Sequence, residues 1–241
     1  MKLLEVKNLS IRYGDFLAVK GVTFAVEKGG IFGIVGESGS GKSTIAKALM
    51  GLKEADSGEI VFQNKTKAQM IFQDAAGSLN PRMKVCDTLK EVLCHYGRSK
   101  LEAKKEAAQL VELVGLPPAV LDQYPHEMSG GQCQRVSIAR ALACGSEVLI
   151  ADEPVSALDV SVQARILNLL RALNKSRGVT IVLIAHDLAV VKNICDEVIV
   201  LEKGVVVDSG EPESVFSAPK SEYTKSLIAA VPGKNLKPTH V

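Results

Sequence analysis

The run Gly36-Glu37-Ser38-Gly39-Ser40-Gly41-Lys42-Ser43 constrains this chain more than any other feature. It fits G-x-x-x-x-G-K-[ST], a loop whose backbone N–H groups close around phosphate oxygens. Such a loop needs a strand to deliver it and a helix that starts where it ends. Both flanks are present. Residues 30–35 (G-I-F-G-I-V) read as a short buried strand, and residues 44–50 (T-I-A-K-A-L-M) as a helix. Glycines let the backbone approach an anion, and the helix N-terminus adds partial positive charge. In this pattern Lys42 reaches the β- and γ-phosphates, and Ser43 offers its hydroxyl to Mg²⁺. The expected nucleotide contacts are therefore Gly36, Glu37, Ser38, Gly39, Ser40, Gly41, Lys42, Ser43 and Thr44.

Bulk composition excludes more than it selects. At 241 residues and 46% hydrophobic, the chain can bury a substantial α/β core. Its formal net charge of +2 comes without a basic block or stripe, so nucleic acid is not an expected partner. With no Trp and 4% aromatic residues, it also lacks stacking platforms for single strands. The start M-K-L-L-E-V-K-N-L-S has no signal-peptide apolar run, and no apolar run reaches membrane-spanning length. The five cysteines form no C-x-x-C pair and read as reduced, mostly buried thiols rather than a metal cluster.

Hydrophobic patterning then lays out the chain. Residues 3–13 and 22–30 read as β, as do 59–62 and 68–72. From about residue 80 to 143 the character is helical, with a helix over 101–114 stopped by Pro117-Pro118 and another over 131–144. Residues 147–152 (E-V-L-I-A-D) form a continuous apolar run of the kind found inside a parallel sheet. A helix over 161–176, a strand over 180–185, a helix over 187–195, a strand over 197–201, a return over 204–208 and two short helices follow. This alternation argues a parallel sheet with helices on both faces. The tail from Pro232 to Val241 reads as loose.

A phosphate loop of this type also needs a carboxylate for Mg²⁺ at the end of a second buried strand. V-L-I-A-D-E supplies one: Asp152 is placed to hold Mg²⁺, directly or through water. Glu153, next in the chain, can reach a water attacking the γ-phosphate.

With these residues in hand, the chain resembles the ABC-type ATPases. Ser129-Gly130-Gly131-Gln132 is similar to that family's signature loop, and Ser156-Ala157-Leu158-Asp159 to its D-loop. Ala185-His186-Asp187 resembles the switch-histidine motif. Gln73 sits where the family has its Q-loop glutamine, and Tyr13 where an aromatic stacks on adenine. The motifs occur in family order from residue 2 to about 230, and the departure is Met128 in place of the usual Leu, an apolar swap of similar size.

The resemblance implies a P-loop NTPase core with a mixed sheet, a small antiparallel β subdomain and an α-helical signature subdomain. In that division residues 1–75 and 146–230 form the nucleotide-binding core and 76–145 the helical part. It implies ATP and Mg²⁺ as cofactors, with Glu153, His186, Gln73 and Lys42 in catalysis. Ser43, Gln73 and Asp152 would hold the metal, and Tyr13 would take adenine. Ser129, Gly130, Gly131 and Gln132 would close on a second subunit's nucleotide, and Asp159 of the D-loop would also contact nucleotide. It also implies the partners: a second ATPase subunit, two membrane permease subunits and an extracytoplasmic solute-binding protein, with the chain at the cytoplasmic face of the membrane.

Within the family, residues 72–83 (F-Q-D-A-A-G-S-L-N-P-R-M), 124–132 (Y-P-H-E-M-S-G-G-Q) and 221–232 (S-E-Y-T-K-S-L-I-A-A-V-P) resemble the dipeptide, oligopeptide and nickel importer branch. The short stretch between Gly58 and Gln73 suggests a trimmed β subdomain, and the absence of Cys beyond Cys195 argues against an iron–sulfur site. Compact length leans toward nickel or metallophore importers over peptide ones. The competing readings are a family ATPase acting outside transport, an exporter ATPase, and a non-hydrolytic subunit. The first usually carries two cassettes or a long insertion, and the last would be expected to lack Glu153 or His186. Phe72, Leu79 and Met83 are expected to contribute to a groove for a membrane subunit, or to the core.

Overall fold

The computed structural model describes residues 1–63 and 66–230. In chain order the elements are β1 (Lys2–Tyr13), β2 (Phe16–Glu27), β3 (Ile31–Val35), α1 (Lys42–Leu49), β4 (Ser57–Phe62), β5 (Ala68–Ile71), α2 (Ala75–Ser78), α3 (Val85–His95), α4 (Lys100–Leu113) and α5 (Gly130–Ala143). Then come β6 (Val148–Asp152), α6 (Val160–Arg177), β7 (Thr180–Ala185), α7 (Leu188–Ile194), β8 (Glu197–Glu202), β9 (Val205–Gly210), α8 (Pro212–Ser217) and α9 (Glu222–Ala229). The expected loose tail lies outside the described residues from position 231 on. By packing, the described chain divides into two compact units, residues 1–63 with 182–230 and residues 66–181.

In the first unit β1 pairs antiparallel with β2 and β4, in registers such as Leu4↔Val26 and Leu4↔Phe62. Val6, Leu9 and Ile11 on β1 are fully buried; the alternation of the strand is reset by a register shift between Val6 and Leu9, where Asn8 has φ +49°. β3 runs parallel to β8, and β8 antiparallel to β9. All five residues of β3 are buried, which is why its sequence is continuously apolar rather than alternating. The rings of Phe24 on β2 and Phe32 on β3 stack at 5.1 Å. Burying an aliphatic side chain of this kind stabilises by about 1.5–3 kcal/mol, so β3 is a firm base for the loop that leaves it.

In the second unit β5 pairs parallel with β6, and every residue of β6 is buried. Helices α3, α4 and α5 pack on one another. Helix α4 opens with a reciprocal capping box between Ser99 and Glu102. At its far end the Arg135 guanidinium donates to the carbonyls of Val114 (2.9 Å) and Gly115 (3.0 Å), satisfying groups that a helix end leaves orphaned. Helix α5 is buried on almost every side, including Val136, Ile138 and Ala139. Gly131 is required there by contact: a Cβ would lie 2.5 Å from a Val162 methyl on α6. Helix α6 is capped by Asp159 and closed by Gly178 in the left-handed conformation.

Candidate phosphate-binding site and acidic loop

The phosphate loop leaves β3 after Val35 and ends at α1. Gly41, the N-cap of α1, has φ +105°, and a Cβ there would sit 2.6 Å from the Ala18 carbonyl oxygen. Gly36 has no room either, with the Leu201 carbonyl oxygen 2.2 Å from where its Cβ would be. Both glycines are therefore dictated by backbone approach. A second turn braces the loop: Gly204 N–H donates to Ser40 O (2.9 Å), and Lys20 N–H donates to Gly204 O (2.8 Å).

Lys42 is 4% exposed, and its ammonium donates to Gly36 O (2.7 Å) and Glu37 O (2.8 Å). No side chain caps α1, and its first turn holds no acidic residue. The helix start thus presents N–H groups and partial positive charge that neither a side-chain cap nor an acidic residue of its own first turn offsets. The Ser40 hydroxyl, in the same loop, is buried without a hydrogen-bond partner. An anion with several oxygens fits this donor set. Ser43 is exposed on the first turn of α1, where a hydroxyl can serve a hard cation. Tyr13 closes β1 and is 46% exposed, and the Lys53 ammonium lies 5.0 Å from its ring centroid. His186 follows the last residue of β7 and is exposed. Asp187 beside it caps α7 by accepting from Ala189 N–H (2.7 Å).

In the second unit Asp152 ends β6 and is 8% exposed. Glu153 follows with φ +46°, a left-handed conformation that a non-glycine residue rarely adopts. A short chain of hydrogen bonds meets this strained residue. The Gln73 amide nitrogen donates to the Ser156 hydroxyl (3.0 Å), which donates to Glu153 O (3.2 Å). With its nitrogen committed, Gln73 keeps Oε1 to accept from water or ligate a cation. Sequence reading placed Ser156 in a motif without giving it a role; no spacing rule links it to Gln73, 83 positions away.

The signature residues are ordered by local chemistry. Ser129 caps α5: its hydroxyl accepts from Gln132 N–H (3.3 Å), while Gln132 Oε1 accepts from Ser129 N–H (2.8 Å). Ser129 and Gly130 are exposed, and Gly131 is buried. Asp159 accepts from Val162 N–H (3.0 Å) and the Ser161 hydroxyl (2.8 Å), and these bonds hold its carboxyl below the usual carboxylate range. A cavity of about 270 Å³ is lined by Gln73, Asp74, Gly130, Gln134, Pro154 and Leu158, among others. Thus Gln73, Gly130 and the turn after Glu153 are neighbours. Of the groove residues, Phe72 is 39% exposed and Met83 half-buried, but Leu79 is 3% exposed and belongs to the core. Three of the five cysteines are buried; Cys86 is half-buried and Cys94 exposed, all without disulfides.

Comparison with known proteins gives the family and the fold. The family described as ABC transporter matches residues 19–156. The chain is 45% identical over 252 aligned residues to "Oligopeptide transport ATP-binding protein OppF" of Streptococcus pyogenes serotype M1, covering 96% of this chain and 82% of that one. Its identity is 44% to "Oligopeptide transport ATP-binding protein AmiF" of Streptococcus pneumoniae serotype 4, with the same coverage. Among solved structures, cbiO1 from Clostridium perfringens superposes with TM-score 0.83 at 30% identity, over 91% of this chain and 92% of that one. The dimeric ATP-binding cassette MJ0796 bound to ADP and Pi gives TM-score 0.78 at 28% identity, over 87% and 98%.

Proposed function

The chain belongs to the ABC transporter family, and from that premise we propose that it is the ATP-hydrolysing subunit of a membrane importer for oligopeptides. One observation carries the ATP reading: a buried lysine ammonium held over a helix start that has neither a side-chain cap nor an acidic first turn. The oligopeptide reading rests on relatives named for oligopeptide transport at 44–46% identity. It replaces the length-based lean toward nickel and metallophore chelates, since the size of an ATPase carries no chemistry of the solute.

The roles follow from where charge develops in phosphoryl transfer, in which catalysis is positioning and electrostatics. The loop N–H groups, Lys42 and Ser40 bind phosphate oxygens. Tyr13 offers the ring face away from Lys53 to adenine. Ser43, Asp152 and Gln73 would hold Mg²⁺, which when bound neutralises phosphate charge. Glu153 polarises the attacking water, and His186 hydrogen-bonds the γ-phosphate. Ser129, Gly130, Gly131, Gln132 and Asp159 act on the nucleotide of a second ATPase subunit. The exposed, capped start of α5 supports this, because its hydroxyl and N–H groups are ordered before any partner arrives. Two permease subunits and an extracytoplasmic binding protein complete the importer, with this chain at the cytoplasmic face. Among the described residues no helix is long and apolar enough to cross a membrane. The division into a nucleotide core (1–75 and 146–230) and a helical part (76–145) remains a functional proposal.

The solute is tested by deleting the chain in cells and measuring uptake of labelled oligopeptides and of nickel. Loss of peptide uptake, restored by wild-type chain but not by Lys42→Ala, is expected. Intact peptide uptake with lost nickel uptake would overturn the assignment.

A further inference from the structure

The C-terminal motif S-E-Y-T-K-S-L reaches the phosphate loop. Tyr223, on α9, accepts a hydrogen bond at its hydroxyl from the backbone N–H of Glu37 (2.9 Å), although the two are 186 positions apart. That N–H belongs to the peptide group joining Gly36 to Glu37. The carbonyl of the same group is Gly36 O, which accepts from the Lys42 ammonium at 2.7 Å. In a trans peptide the two point in opposite directions from one rigid plane, and the described chain contains no cis bond. One peptide plane is therefore held at both ends, by Tyr223 on one side and Lys42 on the other.

The hold comes from a fixed support. Thr224 and Ile228 of α9 are buried. Ser221 caps the helix by accepting from Thr224 N–H (2.9 Å). Just before the cap, Lys220 N–H donates to the buried Asp208 carboxylate of β9 (2.8 Å). β9 is paired with β8, and the Leu201 carbonyl of β8 presses on Gly36. Sheet, helix and loop thus form a closed frame around residues 36–37. Burial, with the nearby Glu37 and Glu202 carboxylates, keeps the Tyr223 phenol above its ordinary value, so the hydroxyl stays neutral.

We propose that Tyr223 is a positioning residue for the phosphate loop: from α9 it sets the Gly36–Glu37 peptide plane and so aims the carbonyl on which Lys42 rests. The proposal rests on the reading that residues 36–44 bind ATP. It gives the C-terminal motif a task at the nucleotide site. Without the hydroxyl, the plane loses one of its two anchors, the Gly36 carbonyl is aimed less sharply, and Lys42 is no longer presented to incoming phosphates in one arrangement.

The test uses the full chain and the variant Tyr223→Phe, which removes the hydroxyl and keeps the ring. Calorimetric titration with Mg-ATP should show Kd raised about fivefold, the worth of one net hydrogen bond. Hydrogen exchange at the Glu37 amide should speed up by a similar factor. Glu37→Pro removes the same bond from the donor side, so adding Tyr223→Phe to it should cost nothing further. Lys225→Ala, on an exposed position of the same helix, should bind ATP like the wild type. Weaker binding with unchanged Glu37 exchange would overturn the proposal, as would faster exchange with unchanged Kd. If Glu37→Pro does not fold, the exchange and binding of Tyr223→Phe alone still decide. A wild-type chain that fails to bind Mg-ATP would instead refute the nucleotide reading.

Discussion

Replacing Ser156 by Ala should slow ATP turnover without weakening ATP binding. The Ser156 hydroxyl stands between two groups assigned to the reaction. It accepts from the Gln73 amide at 3.0 Å and donates to Glu153 O at 3.2 Å. Alanine removes both bonds, each worth about 1 kcal/mol net in a partly exposed setting. Glu153 is held at φ +46°, a conformation costing on the order of 1–3 kcal/mol that persists only when neighbours enforce it. Ser156 N–H also donates to Glu153 O (3.3 Å), and this bond survives the substitution. A loss of about 1.4 kcal/mol in the transition state, tenfold in kcat, is therefore the expected size. KM for ATP should stay within about twofold, because Glu153 is not assigned to hold the nucleotide and Gln73 keeps Oε1, the atom assigned to Mg²⁺, when its bond from Nε2 to Ser156 is lost. Steady-state ATPase of the assembled importer, with thermal unfolding as a folding control, measures both. A raised KM with unchanged kcat would refute the claim that Ser156 positions Gln73 and Glu153, as would wild-type kinetics.

Glu153→Gln should keep ATP binding and cut turnover by orders of magnitude, since only the transition state loses its partner; single-turnover hydrolysis checks this, and near-normal rates would remove Glu153 from catalysis. Tyr13→Ala should raise KM for ATP by the equivalent of roughly 1–3 kcal/mol with kcat little changed, as expected for loss of a stacking face. An unchanged KM would mean that Tyr13 only packs. Alkylation followed by peptide mapping should find Cys94 first among the cysteines, because it is exposed. Cys195 should label only on unfolding, because burial raises its thiol pKa and suppresses the reactive thiolate.

What the sequence made legible is what local chemistry decides. β3, β6 and β7 are buried along their whole length, so their apolar runs declared them as inner strands. Ser129 and Gln132 stand three apart and cap α5 as such pairs do. The start of α1 reads two residues late, because its cap is Gly41 in the left-handed region and no side chain marks it. The pieces that stayed hidden depend on long-range packing. Nothing in residues 221–227 points to Glu37, and nothing in the D-loop motif points to Gln73. Lys53 over Tyr13 is invisible for the same reason. Leu79 looked equally suited to a groove or a core, and only its burial decides for the core.

The most direct measurement is ATP hydrolysis and peptide accumulation followed together, with the importer rebuilt in liposomes around this chain. The account predicts that oligopeptide presented with its binding protein stimulates hydrolysis and accumulates in step with it. Both signals should vanish when Glu153→Gln replaces the wild-type chain. Hydrolysis indifferent to the membrane subunits and to peptide, with no accumulation, would contradict it.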